Sequence, residues 1–247
     1  MRRKELYSTP DYWNAKAEEH DSQAASMWPN NNLNRHYHRE QSEAIDRLLP
    51  DVSGWKILDI GCGTGRMARY FASRGAQVRG FDFSDKAIGV AKGIPLPAPV
   101  RPEIAPVEPS YEVRSVFSID YPPEFDLAFT WGVLTIACKE RAELRRALPQ
   151  VVSAVKPGGN LLFLEPIHRG MLTRVLSLPL DDFLADLGEA GAEILEVRGL
   201  HFWPARVALA YAPLPRWITD PAYRVGQKFL ANPGWGDYKL IFARRAR

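Results

Sequence analysis

Cysteine is scarce: Cys62 and Cys138 are the only two in 247 residues, too few for a framework of disulfides, and Cys62 lies inside a glycine loop. No run approaches the ~18 apolar residues of a membrane-spanning helix. The start, MRRKELYSTPDYW, has basic residues with neither an apolar stretch nor a small-residue cleavage site behind them. These features read as a chain without a signal peptide, working in a reducing cytoplasm. An excess of one charge is missing too. With 32 basic and 29 acidic residues the net charge is +3, too balanced to argue for nucleic acid. No metal site is expected. The composition, 46% hydrophobic and 25% charged, excludes a disordered or collagen-like chain.

What is present is alternation. Strand-like runs at 55–60, 76–83, 111–117, 125–130, 160–165, 192–199 and 237–244 are separated by helical patterns at 34–49, 66–73, 84–92, 139–155 and 179–190, with a break expected near Pro149. That order predicts an α/β fold with a mostly parallel sheet and helices on both faces. One domain fits the length. Residues 1–50 read as an N-terminal helical lid, 51–200 as a ligand-binding core, 201–235 as an inserted helical cap and 236–247 as a last strand. Residues 93–110 hold six of the twenty prolines. Proline removes amide donors and fixes φ, so this is an extended, exposed connection.

The segment Asp59-Ile60-Gly61-Cys62-Gly63-Thr64-Gly65 follows an apolar strand and opens a helix. Glycine lets the backbone turn tightly and approach a ligand where a side chain would collide. Dinucleotide enzymes also place glycines here, but with G-x-G-x-x-G spacing; in this chain the third glycine falls one residue early. Asp59, inside the strand end, suits a ligand carrying an amine and a sulfonium better than a pyrophosphate. Asp82 ends the next strand, where a carboxylate can accept both hydroxyls of a ribose. Buried acids at strand ends are costly without a ligand to meet them.

Together, KILDIGCGTGRMARYFASRGAQVRGFDFSDKAIGVAK resembles the first two motifs of the class I S-adenosylmethionine-dependent methyltransferases. The resemblance covers about 55–200 and implies a Rossmann-like, seven-stranded sheet with S-adenosyl-L-methionine as cofactor. It further implies that Gly61, Cys62 and Gly63 border the methionine part, that Asp59 orients the amine, that Asp82 binds the ribose and that Phe83 packs on the adenine. RSVFSIDYPPEFDLAFTWGVL is similar to the third and fourth motifs, with Val116 and Phe117 as adenine neighbours and Thr130, Trp131 and Gly132 near the methionine end. Ser115 stands where the family has an acid for the adenine amine. Asn32-Leu33-Asn34-Arg35 resembles the N-x-x-R segment of ubiquinone-type O-methyltransferases, which implies that Arg35 meets the cofactor carboxylate, with Arg39 as substitute.

Methyl transfer is an in-line displacement, so the protein aligns acceptor and methyl and excludes water. A hydroxyl acceptor also needs its proton removed. His168, in the loop after the fifth strand, is the first candidate base, with Glu165 as orienter; His36 and His38, in the polar block WPNNNLNRHYHREQ, are candidates facing the acceptor. The aromatics and arginines of FWPARVALAYAPLPRWITDPAYRVGQKFLA suit the wall of a bulky small-molecule acceptor, glycan- or lipid-linked, or weak peripheral contact with a membrane. The expected reaction is methyl transfer to a hydroxyl oxygen. A same-fold cofactor-binding protein without transfer or with another reaction, an NAD-dependent oxidoreductase and an adaptor are the alternatives. There is no added RNA-binding module, and none of the Pro-Pro tetrapeptides of base-methylating enzymes.

Overall fold

The sheet is built around β1 (Lys56–Ile60), whose residues after Lys56 are all buried. A strand between two parallel neighbours is covered on both faces, which is why it reads as a continuous apolar run. In this computed structural model, which describes residues 3–7, 9–19, 30–212 and 214–247, the other strands are β2 (Gln77–Asp82), β3 (Ser110–Val113), β4 (Phe125–Trp131), β5 (Val155–Glu165), β6 (Ala192–Phe202) and β7 (Gly236–Arg245). Their order is β3-β2-β1-β4-β5-β7-β6, with β7 antiparallel to both β5 and β6. The order reverses between β1 and β4, and in open α/β sheets ligands bind at such a point, beyond the carboxyl ends of the strands.

Helices cover both faces: α1 (Arg3–Leu6), α2 (Pro10–Glu19), α3 (Asn31–Leu48), α4 (Arg66–Ala72), α5 (Asp85–Gly93), α6 (Leu134–Ala137), α7 (Arg141–Ala154), α8 (Leu180–Glu189), α9 (Trp203–Leu209) and α10 (Arg216–Gln227). Strand side chains alternate between two cores. Leu58, Leu161 and Phe163 join α7 and α8 on one side; Ile57, Leu162 and Leu164 join α3 and α4 on the other. Among the described residues no helix is long and apolar enough to cross a membrane.

Three local expectations are corrected. The helix at 141–154 passes through Pro149 without a break, because the proline sits on the exposed face, where one lost amide donor is tolerated. The third strand stops at Val113. Beyond it Ser115 accepts the Phe117 amide at 3.2 Å and turns the chain toward the sheet's open end. The fifth strand begins at Val155, where an irregularity opposite Phe125–Leu127 extends the pairing.

The polar block that opens α3 is a clamp. Asn30 Oδ1 caps the helix by accepting from the Asn32 and Leu33 amides, while its Nδ2 donates to the carbonyls of Leu209 and Ala212. Asn32 Nδ2 reaches the Leu214 carbonyl. The lid helix is thereby fastened to the α9–α10 cap, and Leu33, Tyr37, Ala210 and Tyr223 pack between them. Trp28 and Pro29 lie outside the described residues.

Candidate active site

The glycine loop has the conformation its sequence demands. Gly61, Gly63 and Gly65 have φ of 65°, 52° and 76°, a region where a β-carbon is strained. A Cβ on Gly61 would sit 2.4 Å from Val133 Cγ2, whereas one on Gly63 would face open space. The Gly63 amide donates to Asp82 Oδ2 at 3.0 Å and the Ser84 amide to Oδ1 at 2.9 Å. Asp82 therefore ties the loop to the end of β2. Burial raises its pKa, and the amides oppose that rise.

Beneath the loop is a cavity of about 160 Å³ walled by Asp59, Gly61, Cys62, Gly63, Arg66 and Trp131. Asp59 is 2% exposed, and its Oδ2 meets no hydrogen-bond partner among the described residues. Burial, with Asp82 adding to it and Arg66 opposing, pushes its carboxyl up to about 7. Arg66 crosses the Trp131 ring, its Cζ 3.9 Å from the centroid, and donates to Gln41 Oε1 at 3.0 Å. Its buried Nε has no hydrogen-bond partner among the described residues, and burial lowers its pKa to about 9. A buried acceptor without a donor and a buried donor without an acceptor line one small cavity. That pair fits the amine and carboxylate of an amino-acid group, so the residues present suit the methionine end of the expected cofactor.

Asp82, Gly61, Gly63 and Trp131 also border a second cavity of about 490 Å³, and Phe83, Val116 and Phe117 line it. The structure thus brings together the loop, both aspartates and the three apolar residues expected at the adenine.

Other assignments are corrected. Arg35 is exposed and donates to Asn32; Arg39 is about half exposed and pairs with Glu43. Neither lines the cavities, whereas Arg66, at the start of α4, lines the smaller one. His36 bonds Asp220 at 2.8 Å and stacks on Tyr223, joining lid to cap. His38 lies edge-on to Trp131, behind the cavity wall, with a pKa lowered to about 4 by burial and the Arg66 charge.

His168 is buried, its Nε2 held 2.7 Å from the Asp237 carbonyl oxygen. Glu165 is fully buried: its two oxygens accept from Thr130 Oγ1, the Val133, Leu134 and Thr135 amides and Thr135 Oγ1. It caps the first turn of α6, and a carboxylate so surrounded has no geometry for taking a proton. Burial raises its pKa against those bonds. Thr130 spends its hydroxyl on Glu165 and lines neither cavity.

Two further groups carry no sequence signal of their own. Arg174 and Tyr238 line the larger cavity, the Arg174 Nη1 donating to the Tyr238 hydroxyl at 2.6 Å. Behind them Gln41 Nε2 lies 2.8 Å from His201 Nε2, and Glu40 Oε2 accepts from the His201 amide at 3.1 Å, lies 3.0 Å from its Nδ1 and accepts from Tyr223 Oη. His201 holds φ of 61°, a conformation costing about 1–2 kcal/mol in a residue with a β-carbon. Burial would raise the Glu40 carboxyl, but His201 and Tyr223 keep it below its ordinary value.

Comparison with known proteins agrees with this geometry. A methyltransferase-domain family model matches residues 57–159. A ubiquinone biosynthesis O-methyltransferase of Albidiferax ferrireducens is 33% identical over 196 residues, covering 72% of this chain and 72% of that protein. A malonyl-[acyl-carrier protein] O-methyltransferase of Salmonella typhimurium is 32% identical over 127 residues, 50% of this chain and 45% of its own, so the chain spans under half of that relative. The fold matches magnesium protoporphyrin IX methyltransferase from Synechocystis, solved with bound S-adenosylmethionine, at a TM-score of 0.60 and 16% identity, over 100% of this chain and 98% of that one. The chain belongs to the class I S-adenosylmethionine-dependent methyltransferases.

Proposed function

We propose that this enzyme transfers a methyl group from S-adenosylmethionine to an oxygen atom of a small-molecule acceptor in the cytoplasm. The observation that carries the reading is continuity: Gly61, Gly63, Asp82 and Trp131 border both cavities, so the cofactor cradle opens into a space of about 490 Å³, the size of a small-molecule site. The two relatives described above are named as O-methyltransferases, which supports oxygen. The two free, buried cysteines suit a reducing compartment.

When bound, the cofactor supplies an electrophilic methyl on a sulfonium. The chain's own residues do the rest. Asp59 and Arg66 grip the amino-acid end, Asp82 holds the ribose, and Phe83, Val116 and Phe117 clasp the adenine. Trp131 and Gly132 line the cavity on the acceptor side. The outer face of the cap exposes Tyr211, Trp217 and Val225 beside Arg216 and Arg224, a pattern suited to shallow seating on an anionic bilayer and to lipid-linked acceptors.

Titration calorimetry with S-adenosylmethionine, S-adenosylhomocysteine and NAD tests the cofactor reading: binding of the adenosyl ligands alone is expected, and NAD binding alone overturns it. Sedimentation with phosphatidylglycerol vesicles tests the cap, where Trp217→Ser is expected to lose whatever binding the wild type shows.

A further inference from the structure

The acceptor side of the larger cavity is cationic. Gly132, at the end of β4, packs so closely on Tyr238 that a Cβ would lie 3.1 Å from its hydroxyl. Arg174 lies across the same ring, its Cζ 4.8 Å from the centroid. A contiguous surface therefore runs from Gly61 in the cofactor loop through Val133 and Gly132 to Tyr238 and the Arg174 guanidinium, and all five of these positions border one cavity.

Arg174 is held from behind by a buried carboxylate. Asp237, fully buried, takes Arg174 at 3.0 Å, Arg206 at 3.1 Å and His168 at 3.6 Å. One carboxylate thus stands between two permanent guanidinium charges and fixes Arg174 at the cavity, which Arg114 and Lys139 also border together with Asp82 and Glu143. The same buried cluster has Lys239 one strand position beyond Tyr238. Toward the rim stand Lys139 and Glu143, which lie together, Glu143 accepting the Lys139 amide.

The bases are elsewhere. Of the carboxylates bordering this cavity, Asp82 is held by the Gly63 and Ser84 amides and Glu143 is at the rim, while His36, Glu165 and His168 are engaged outside it. Burial pushes the Tyr238 phenol up to about 12, so it is no base at neutral pH. Asp82 and Glu143, the carboxylates at the cavity, each already accept backbone amides, and Tyr238 keeps its proton. An acceptor that is already an anion needs no base.

Resting on the methyl-transfer reading above, we infer that the acceptor atom is a carboxylate oxygen, with Arg174 and Tyr238 as the specificity-determining residues that hold the acid. The carboxylate oxygen supplies the electron pair of the new C–O bond to the methyl carbon. The C–S bond breaks with its pair left on sulfur, cancelling the sulfonium charge, and the products are a neutral methyl ester and the thioether. No proton is released, so no general base is required.

The test is calorimetry on the full chain saturated with S-adenosylhomocysteine. A panel of aliphatic and aromatic carboxylates is titrated, each paired with the primary alcohol of the same skeleton. At least one acid is expected to bind about tenfold or more tightly than its alcohol, the value of a charged hydrogen bond. In Arg174→Gln that preference is expected to disappear while S-adenosylhomocysteine affinity holds. If Arg174→Gln does not fold, Arg174→Lys is used, in which the preference falls but persists. Alcohols binding as well as acids throughout the panel, or Arg174→Gln keeping the preference, overturns the carboxylate assignment. Failure of S-adenosylhomocysteine itself to bind overturns the underlying methyltransferase reading instead.

Discussion

Asp59 is a carboxylate that folding alone would not choose, and replacing it by asparagine separates ligand binding from stability. Its folded pKa is pushed from 3.8 to about 7, so the folded state holds the proton more tightly than the unfolded chain. Stability contributed by that proton is complete below about pH 4 and is lost as pH rises toward 7. Three pH units at about 1.4 kcal/mol each put the penalty near 4 kcal/mol at neutral pH. The Asp59→Asn substitution would remove that penalty but bury an amide with unmet donors, costing about 1–3 kcal/mol, so a net gain of about 2 kcal/mol is expected. For a chain of this size that raises Tm by about 4–8 °C. The gain should be present at about pH 8 and absent at about pH 4. Over the same range S-adenosylhomocysteine affinity should fall about ten- to a hundredfold, because the amine loses a charged partner. Differential scanning fluorimetry across pH, with and without the ligand, reads both. Asp59→Asn melting at or below the wild type at about pH 8, or an equal gain at about pH 4, would refute the reasoning.

Other substitutions probe neighbouring claims. Arg66→Met keeps a long apolar stem over Trp131 and is expected to weaken S-adenosylhomocysteine binding at least about tenfold in calorimetry, whereas Arg35→Met should leave it unchanged. Gly61→Ala meets both a positive φ and Val133; it should cost about 2 kcal/mol in urea melts and abolish cofactor binding, while Gly61→Ala with Val133→Ala should recover part of the stability. His168→Ala removes the bond to the Asp237 carbonyl, so Tm is expected to fall by a few degrees while S-adenosylhomocysteine affinity holds.

What the sequence disclosed depended on whether a residue's role is local. The glycine loop, Asp59 and Asp82 act through the backbone turn they occupy, and spacing shows such turns directly. Val116 and Phe117 reached the cavity although the strand expected to carry them ends at Val113, because the turn at Ser115 aims them there. Glu165 misled for a physical reason: an acid at a strand's carboxyl end marks a site only if its oxygens are free, and here both are consumed in capping α6. His168 misled likewise, since its partner is a backbone carbonyl 69 positions away. Arg174 and Tyr238 meet across 64 residues, and nothing at either position announces the other. The asparagine-rich block was rightly singled out as polar contacts, but those contacts hold the cap.

That clamp limits how the protein can be taken apart. Asn30, Asn32, His36 and Glu40 on the lid side each bond to the cap or to the strand end leading into it, and Gln41, next along, touches Arg66 in the cofactor cradle. The cap is therefore not an exchangeable module. A chimaera that grafts another enzyme's 203–235 alone would strand several buried polar groups, at about 1–3 kcal/mol each, and slacken the grip on the cofactor. Grafting 30–41 with it would carry both halves of the joint, so the cap and the helix that reaches the cofactor cradle must be redesigned together.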